Sequence, residues 1–323
     1  MLQTRAFILK QIRFFFDNKD YLELDTPLLS PDLIPESCLE VFQTERLFPK
    51  GSKKENRPLW LIPSPEIWMK KIIASHNVNV FQICKCFRNG ESSGHLHNSE
   101  FTMLEYYTMK ADYMDSLALT EELFLFLTEK TEYIKINREQ IKKITIADAF
   151  SRWAGFDLFA AVTEGTMEKE ARRLGLDPLP NTTIHELYDL IFIHAVEPHL
   201  KTEKLIFLLD YPAFVPCLAK LSPNGKTVER WELYYNGIEL ANCYSEETDP
   251  QRIKEFFISE EAAKEKSAIV KHKADHNYWK LFENDKNGVC KFPKCSGVAM
   301  GADRLIMALT GKSCIDMILE TSL

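Results

Sequence analysis

The chain has 323 residues, 45% of them hydrophobic, and a formal net charge of -7; this is enough apolar material for one large core or two modest ones, with no compositional sign of disorder. The acidic balance weighs against a partner held mainly through phosphates, and no signal core or membrane-spanning apolar run follows Met1, so a cytoplasmic enzyme without membrane association is expected. The eight cysteines are expected to be free thiols, because Cys84 and Cys86 stand too close for a zinc knuckle and no second ligand pair follows Cys290 and Cys295.

Across residues 4–18, Phe7, Ile8, Ile12, Phe15 and Phe16 recur at helical spacing, and residues 21–29 read as a strand running into Pro27. A polar loop is expected around Gly51 to Arg57, then a helix opened by Ser64 and Pro65 with Glu66 in its first turn. Residues 78–87 and 101–109 read as two strands joined by a polar, glycine-bearing stretch. In the second strand, alternation puts Phe101, Met103, Glu105 and Tyr107 on one face, so a carboxylate lies among aromatics and a methionine, and burying it unpaired is costly. Asp112 caps a further helix. A mostly helical insertion is expected over about 145–200, a buried strand over 205–209, a hairpin over 231–246 and a helix after Asp249-Pro250. A glycine-rich strand then feeds a helix that ends at Gly311. The organisation expected is one domain, 1–323, with an insertion.

The hairpin turns at Asn236-Gly237. With a two-residue turn, Tyr234 faces Glu239 and Glu232 faces Ala241, so Glu232 and Glu239 become diagonal neighbours on one face. Two carboxylates so placed suit a magnesium ion shared with substrate phosphates; a solvated polar stripe is the alternative. Glu239 and Glu246 have opposite parity, so a bulge near Ala241-Asn242 is required if both line one site.

Phe87-Arg88-Asn89 and the run from His97 to Tyr107 resemble motif 2 of class II lysyl-tRNA synthetases. Gly297-Val298-Ala299-Met300-Gly301-Ala302-Asp303-Arg304 resembles motif 3, the first helix and Pro27 strand resemble the dimer-forming motif 1, and Gly237 to Asn242 with Tyr244 and Glu246 resembles the segment before motif 3. The resemblance implies an α+β catalytic domain: an antiparallel sheet flanked by helices, with a helical insertion. It also implies ATP and Mg2+ as cofactors and a homodimer. By the same resemblance Arg88 holds the α-phosphate and the substrate carboxylate, Arg304 holds the ATP phosphates and Phe101 stacks on adenine. Asn89, Glu91, Asn98, Leu240 and Gly301 line the nucleotide site, and Glu232 and Glu239 bind Mg2+. Glu66, with Ser64 and Pro65, receives the amino group near the carboxylate, and Glu105, Tyr107 and Glu246 receive the side-chain ammonium. Asn242, Tyr244 and Ala299 complete the amino-acid pocket.

Motif 1 begins almost at Met1, which leaves no room for the anticodon-binding barrel of lysyl-tRNA synthetases, so stable tRNA binding is not expected. The chain thus resembles the free-standing paralogue family that attaches β-lysine or lysine to a lysine of elongation factor P. Ala299, where the synthetases usually have glycine, and Ser64 fit that family. A minimal lysyl-tRNA synthetase-like enzyme and a catalytically silent regulatory paralogue are the alternatives. Departures from the pattern are the additional residue in Arg88-Asn89-Gly90-Glu91, His95 in place of a common arginine, and Cys243 in place of glycine.

Overall fold

The computed structural model describes residues 1–90, 94–284 and 292–319. Helix α1 (Leu2–Asp17) buries Ile8, Ile12, Phe15 and Phe16, the stripe its spacing predicts. The strand expected over 21–29 is instead split into β1 (Leu22–Glu23) and β2 (Leu29–Ser30), which join different sheets. Pro27 between them has no N–H to offer a ladder, so one continuous strand cannot form. The expected loop around Gly51 is the tip between β3 (Gln43–Arg46) and β4 (Arg57–Leu61), and β2, β4 and β3 form a small three-stranded sheet that residue pattern did not reveal.

Helix α2 (Glu66–His76) follows, then β5 (Val80–Phe87) and β6 (Glu100–Met109), paired antiparallel with Gln82 opposite Glu105. Asp112 and Asp115 form a capping box at the start of α3 (Tyr113–Lys130). Strand β7 (Ile141–Thr145) leads into the insertion, which carries α4 (Ile146–Ala149), α5 (Leu158–Thr163), α6 (Met167–Arg173), α7 (Ile184–Ile191) and α8 (Glu197–Leu200). The insertion returns as β8 (Leu205–Leu209), parallel to β7. It is therefore a helical crossover between two parallel strands at one edge of the large sheet, with its own core around Phe150, Leu158, Tyr188 and Ile191.

Strands β9 (Arg230–Tyr235) and β10 (Ile238–Ser245) form the expected hairpin, with Asn236 at φ 47° and Gly237 at φ 79°; this is the left-handed pair that a two-residue turn requires. Asp249 caps α9 (Pro250–Ser267), and β11 (Cys295–Gly301) feeds α10 (Ala302–Thr310). The large sheet has eight strands in the order β1-β5-β6-β11-β10-β9-β8-β7, and only its two edge pairs are parallel. Its covered face packs Phe16 from α1, Phe124 from α3 and Ile306 from α10 against Tyr106, Trp231 and Met300. The opposite face is left to hold the site. Among the described residues no helix is long and apolar enough to cross a membrane.

Candidate active site

A cavity of about 440 Å³ opens on that second face. Residues alternate along the strands that floor it: Leu104 and Tyr106 enter the covered core, so Phe101 and Met103 turn into the cavity. In β10 the alternation needs one correction. Glu239 pairs with Tyr234, but the register shifts between Glu239 and Ala241, and Glu232 then faces Asn242 rather than Ala241. Leu240 is the additional residue of this bulge, which lies one position earlier than the sequence demanded. The bulge turns Glu239, Asn242 and Tyr244 toward one cavity together with Glu232. Cys243 takes the other parity and is buried in the core, with its Sγ 3.3 Å from the Ser296 hydroxyl.

One end of the cavity is cationic. The Arg88 guanidinium lies 5.3 Å from the centroid of the half-buried Phe101 ring, and the Arg88 N–H donates to the Ser99 carbonyl at 2.9 Å, closing the base of the motif 2 loop. Arg304, in the first turn of α10, donates to the carbonyls of Glu239 at 3.1 Å and Leu96 at 3.4 Å and lies 3.9 Å from the Glu239 carboxylate. Asn98, Leu240 and Gly301 complete this lining. Asn89 does not take part: its N–H donates to the Glu40 carbonyl at 2.9 Å and its side chain turns to Val41 and Gly90. Glu91 lies outside the described residues.

The two carboxylates proposed for a cation differ in their surroundings. Glu232 is buried and accepts from Tyr211 Oη at 2.5 Å, Tyr234 Oη at 2.6 Å and the Arg230 guanidinium at 2.6 Å. Among the described residues the Glu239 carboxylate pairs with Arg304 alone, at 3.9 Å, and desolvation with the neighbouring Glu232 charge pushes its carboxyl up to about 7 against the pull of Arg304 and Arg88. A divalent cation between them would relieve that repulsion. Two carboxylates on one cavity wall leave positions on such an ion for oxygens of a bound phosphate chain.

The other end is acidic and buried. Glu66 lines the cavity at the start of α2. Behind it Glu105, Tyr107 and Glu246 are 2%, 3% and 3% exposed. Glu105 accepts from Ser64 Oγ at 2.5 Å and Tyr107 Oη at 2.7 Å; Ser64 Oγ in turn accepts from the Glu66 N–H at 3.0 Å, although Pro65 holds the cap position of α2. Burial and the Glu66 charge push the Glu105 carboxyl up to about 8, against the hydrogen bonds that lower it. Burial likewise raises Glu246 to about 7, against the nearby Lys70 ammonium. Ala299 sits opposite Glu105 on one side and Asn242 on the other, with its methyl in the cavity wall. At Gly297 a Cβ would come within 2.5 Å of both Glu246 Oε1 and Tyr107 Cε1, so this glycine is required by close approach. At Gly301 a Cβ would meet no protein atom closer than 3.6 Å, in Arg304.

Sequence reasoning missed several contributors. Lys70 is buried with Nζ 2.5 Å from Glu66 and 2.6 Å from Glu246. Glu36, from the segment between β2 and β3, and Glu260, from α9, join the cavity wall. Arg5 of α1 donates to Asp303 at 2.5 Å and to Thr102 at 2.8 Å, and the Thr102 N–H donates to Asp303 at 2.7 Å.

A mostly antiparallel sheet that sets Arg88 beside a half-buried Phe101, with Arg304 in the same cavity wall, defines a class II synthetase-type catalytic domain. The family described as class II tRNA synthetases (D, K and N) matches residues 1–320. The chain belongs to that family, in the branch of the elongation factor P (R)-β-lysine ligases, and is an ATP-dependent ligase. The elongation factor P (R)-β-lysine ligase of Vibrio atlanticus (strain LGP32) is 35% identical over 318 residues, which cover 98% of this chain and 93% of the relative. Its counterpart in Avibacterium paragallinarum is 33% identical over 323 residues, or 100% and 95% of the two chains. That of Histophilus somni (strain 2336) is 33% identical over 320 residues, or 99% and 94%.

Proposed function

We propose that this enzyme activates (R)-β-lysine or lysine as an acyl-adenylate and transfers the acyl group to a lysine ε-amine of elongation factor P. The observation that carries this reading is one cavity whose wall has Phe101 beside Arg88 toward one end and Glu66 toward the other, with Glu105 and Glu246 buried behind Glu66. An amino acid with two ammonium groups and one carboxylate matches that layout, because its carboxylate is drawn to Arg88 and its amines to the acids. The bound carboxylate needs no general base: its oxygen attacks the α-phosphorus while the bond to pyrophosphate breaks. Arg88 and Arg304 stabilise the charge that develops, and Phe101 offers its ring to adenine. Glu232 and Glu239 would hold Mg2+, which when bound neutralises phosphate charge. In the second half-reaction the acceptor amine attacks the acyl carbon, an amide forms, AMP leaves and the amine gives up its proton. We further propose a homodimer formed through the outer face of α1.

ATP-pyrophosphate exchange with α-lysine and with each β-lysine enantiomer, followed by transfer to purified elongation factor P or to tRNA, tests the reading. Exchange with a lysine-type amino acid and amide formation on elongation factor P are expected. Exchange followed by charging of tRNA alone would favour a synthetase-like role, and absence of any exchange would leave a regulatory paralogue.

A further inference from the structure

Adenylation leaves one buried charge at the acidic end without a role. Lys70 is 1% exposed, and its ammonium is shared by two carboxylates, Glu66 at 2.5 Å and Glu246 at 2.6 Å. Glu66 sits one helical turn earlier on α2, so helix periodicity alone aligns it with Lys70; Glu246 arrives from beyond the end of β10. A buried lysine of this kind is costly unless compensated. Here the two carboxylates outweigh the burial that would lower it and hold the ammonium well above the ordinary lysine range. The compensation is lopsided in a way that points to a ligand. Glu246 Oε2 lies in ion-pair contact with Lys70 and Oε1 stands beside Tyr107 and Gly297 away from that charge; neither oxygen accepts a hydrogen bond of regular geometry among the described residues although Glu246 is 3% exposed.

Charge counting gives the arrangement a purpose. Glu66, Glu105 and Glu246 carry three negative charges when ionised, and Lys70 returns one, leaving two. An amino acid with two ammonium groups supplies two positive charges, and its own carboxylate is matched by Arg88. We propose that Lys70 is a positioning residue of the amino-acid pocket. It is an internal counter-ion bridging Glu66 and Glu246 that fixes the distance between the seats of the two substrate amines and leaves the set Glu66, Glu105 and Glu246 with room for two further cations. The inference rests on the function proposed above.

The test compares wild type, Lys70→Met and Lys70→Ala in pyrophosphate exchange. Lys70→Met keeps the length and apolar volume of the side chain and removes only its charge. The KM for lysine or β-lysine should rise about ten- to a hundredfold while the KM for ATP stays within about twofold, because the lost contacts are charge-assisted ones that touch neither phosphate nor adenine. In Lys70→Ala, added n-propylammonium should restore amino-acid binding and n-propanol should not, since only the former returns a cation to the vacated channel. A general loss of fold would lower the maximal rate without moving either KM and would not respond to the amine. Normal wild-type exchange with an unchanged amino-acid KM in Lys70→Met, or equal rescue by amine and alcohol, would overturn the role of Lys70. A wild type that activates no lysine-type amino acid would overturn the parent reading, and this inference with it.

Discussion

At Glu105 the chemistry of the free and occupied pocket pulls in opposite directions. Its carboxyl sits at about 8 in the folded protein against 4.5 for an ordinary glutamate. The folded pKa is the higher one, so the folded chain holds a proton that the unfolded chain has released. The stability of the ligand-free enzyme should therefore fall as pH rises from about 4.5 to about 8. A substrate ammonium seated against Glu105 favours the ionised form, so binding near neutral pH should expel a proton. Titration calorimetry in buffers of different ionisation enthalpy should show this as a buffer-dependent heat, lost above the Glu105 range and reduced in Glu105→Gln to the share that Glu246 contributes; a heat unchanged in Glu105→Gln would remove Glu105 from the ammonium seat. Ala299 poses a steric counterpart. Its methyl lies in the cavity wall between Glu105 and Asn242, so Ala299→Gly should improve α-lysine relative to β-lysine. One methyl in a pocket is worth roughly 10- to 200-fold at most. An unchanged ratio of kcat/KM for the two substrates would make Ala299 a packing residue and shift attention to Ser64, since Cys243 faces the core.

Among the elements, the tie between α1, β6 and α10 seats Arg304. Asp303 is 2% exposed and accepts from Arg5 of α1 and from the Thr102 N–H of β6, which seats the first turn of α10 and with it Arg304. Arg5→Met removes one partner of a mostly buried pair, which costs about 3–5 kcal/mol when the remaining charge is stranded. The remaining Thr102 bond should keep the loss at the low end of that range, read as a lower denaturant midpoint with an unchanged slope, together with a raised KM for ATP. A purely local stability loss with normal ATP kinetics would show that Arg304 does not depend on the tie. This tie was not legible in the sequence, because Arg5 reads as a surface residue on an amphipathic helix and its partner lies 298 positions away. What was legible rests on local rules: the helical stripe of α1, the Asp112 cap, the Asn236-Gly237 turn and the parity argument that demanded a bulge. The strand over 21–29 failed because Pro27 divides it between two sheets. Lys70 was missed because the run Lys70-Lys71 gives no sign of which lysine faces inward; Lys71 meets Asp275 with its side chain 35% exposed, and Lys70 is buried.

On the scale of the whole molecule, α1 faces two ways. Its inner face buries Ile8, Ile12, Phe15 and Phe16 and carries the Arg5 tie into the site, while Phe7 and Phe14 are 42% and 53% exposed and Leu22 of β1 is 54% exposed. Residues 7 and 14 are seven apart and so share one helix face, and Arg13 pairs with Glu23 at 2.8 Å, which brings β1 alongside that helix. Large apolar side chains grouped in this way are uncommon on a monomer and suit contact with another protein surface. A second copy of the chain, related by a two-fold axis, would cover the patch on both partners at once. The expected assembly is therefore a dimer that buries about 800 Å² per partner, seen by sedimentation at micromolar concentration. Phe7→Lys is the sharper probe, because Phe14 also stacks on Phe126 at 6.3 Å and its loss would disturb the fold within one chain. The variant should sediment as a monomer and keep its helical signal. If the dimer stiffens α1, the variant should also show a raised KM for ATP, smaller than that of Arg5→Met. A wild type that sediments as a monomer at this concentration would rule out the dimer, and a dimeric Phe7→Lys would place the interface elsewhere on the surface.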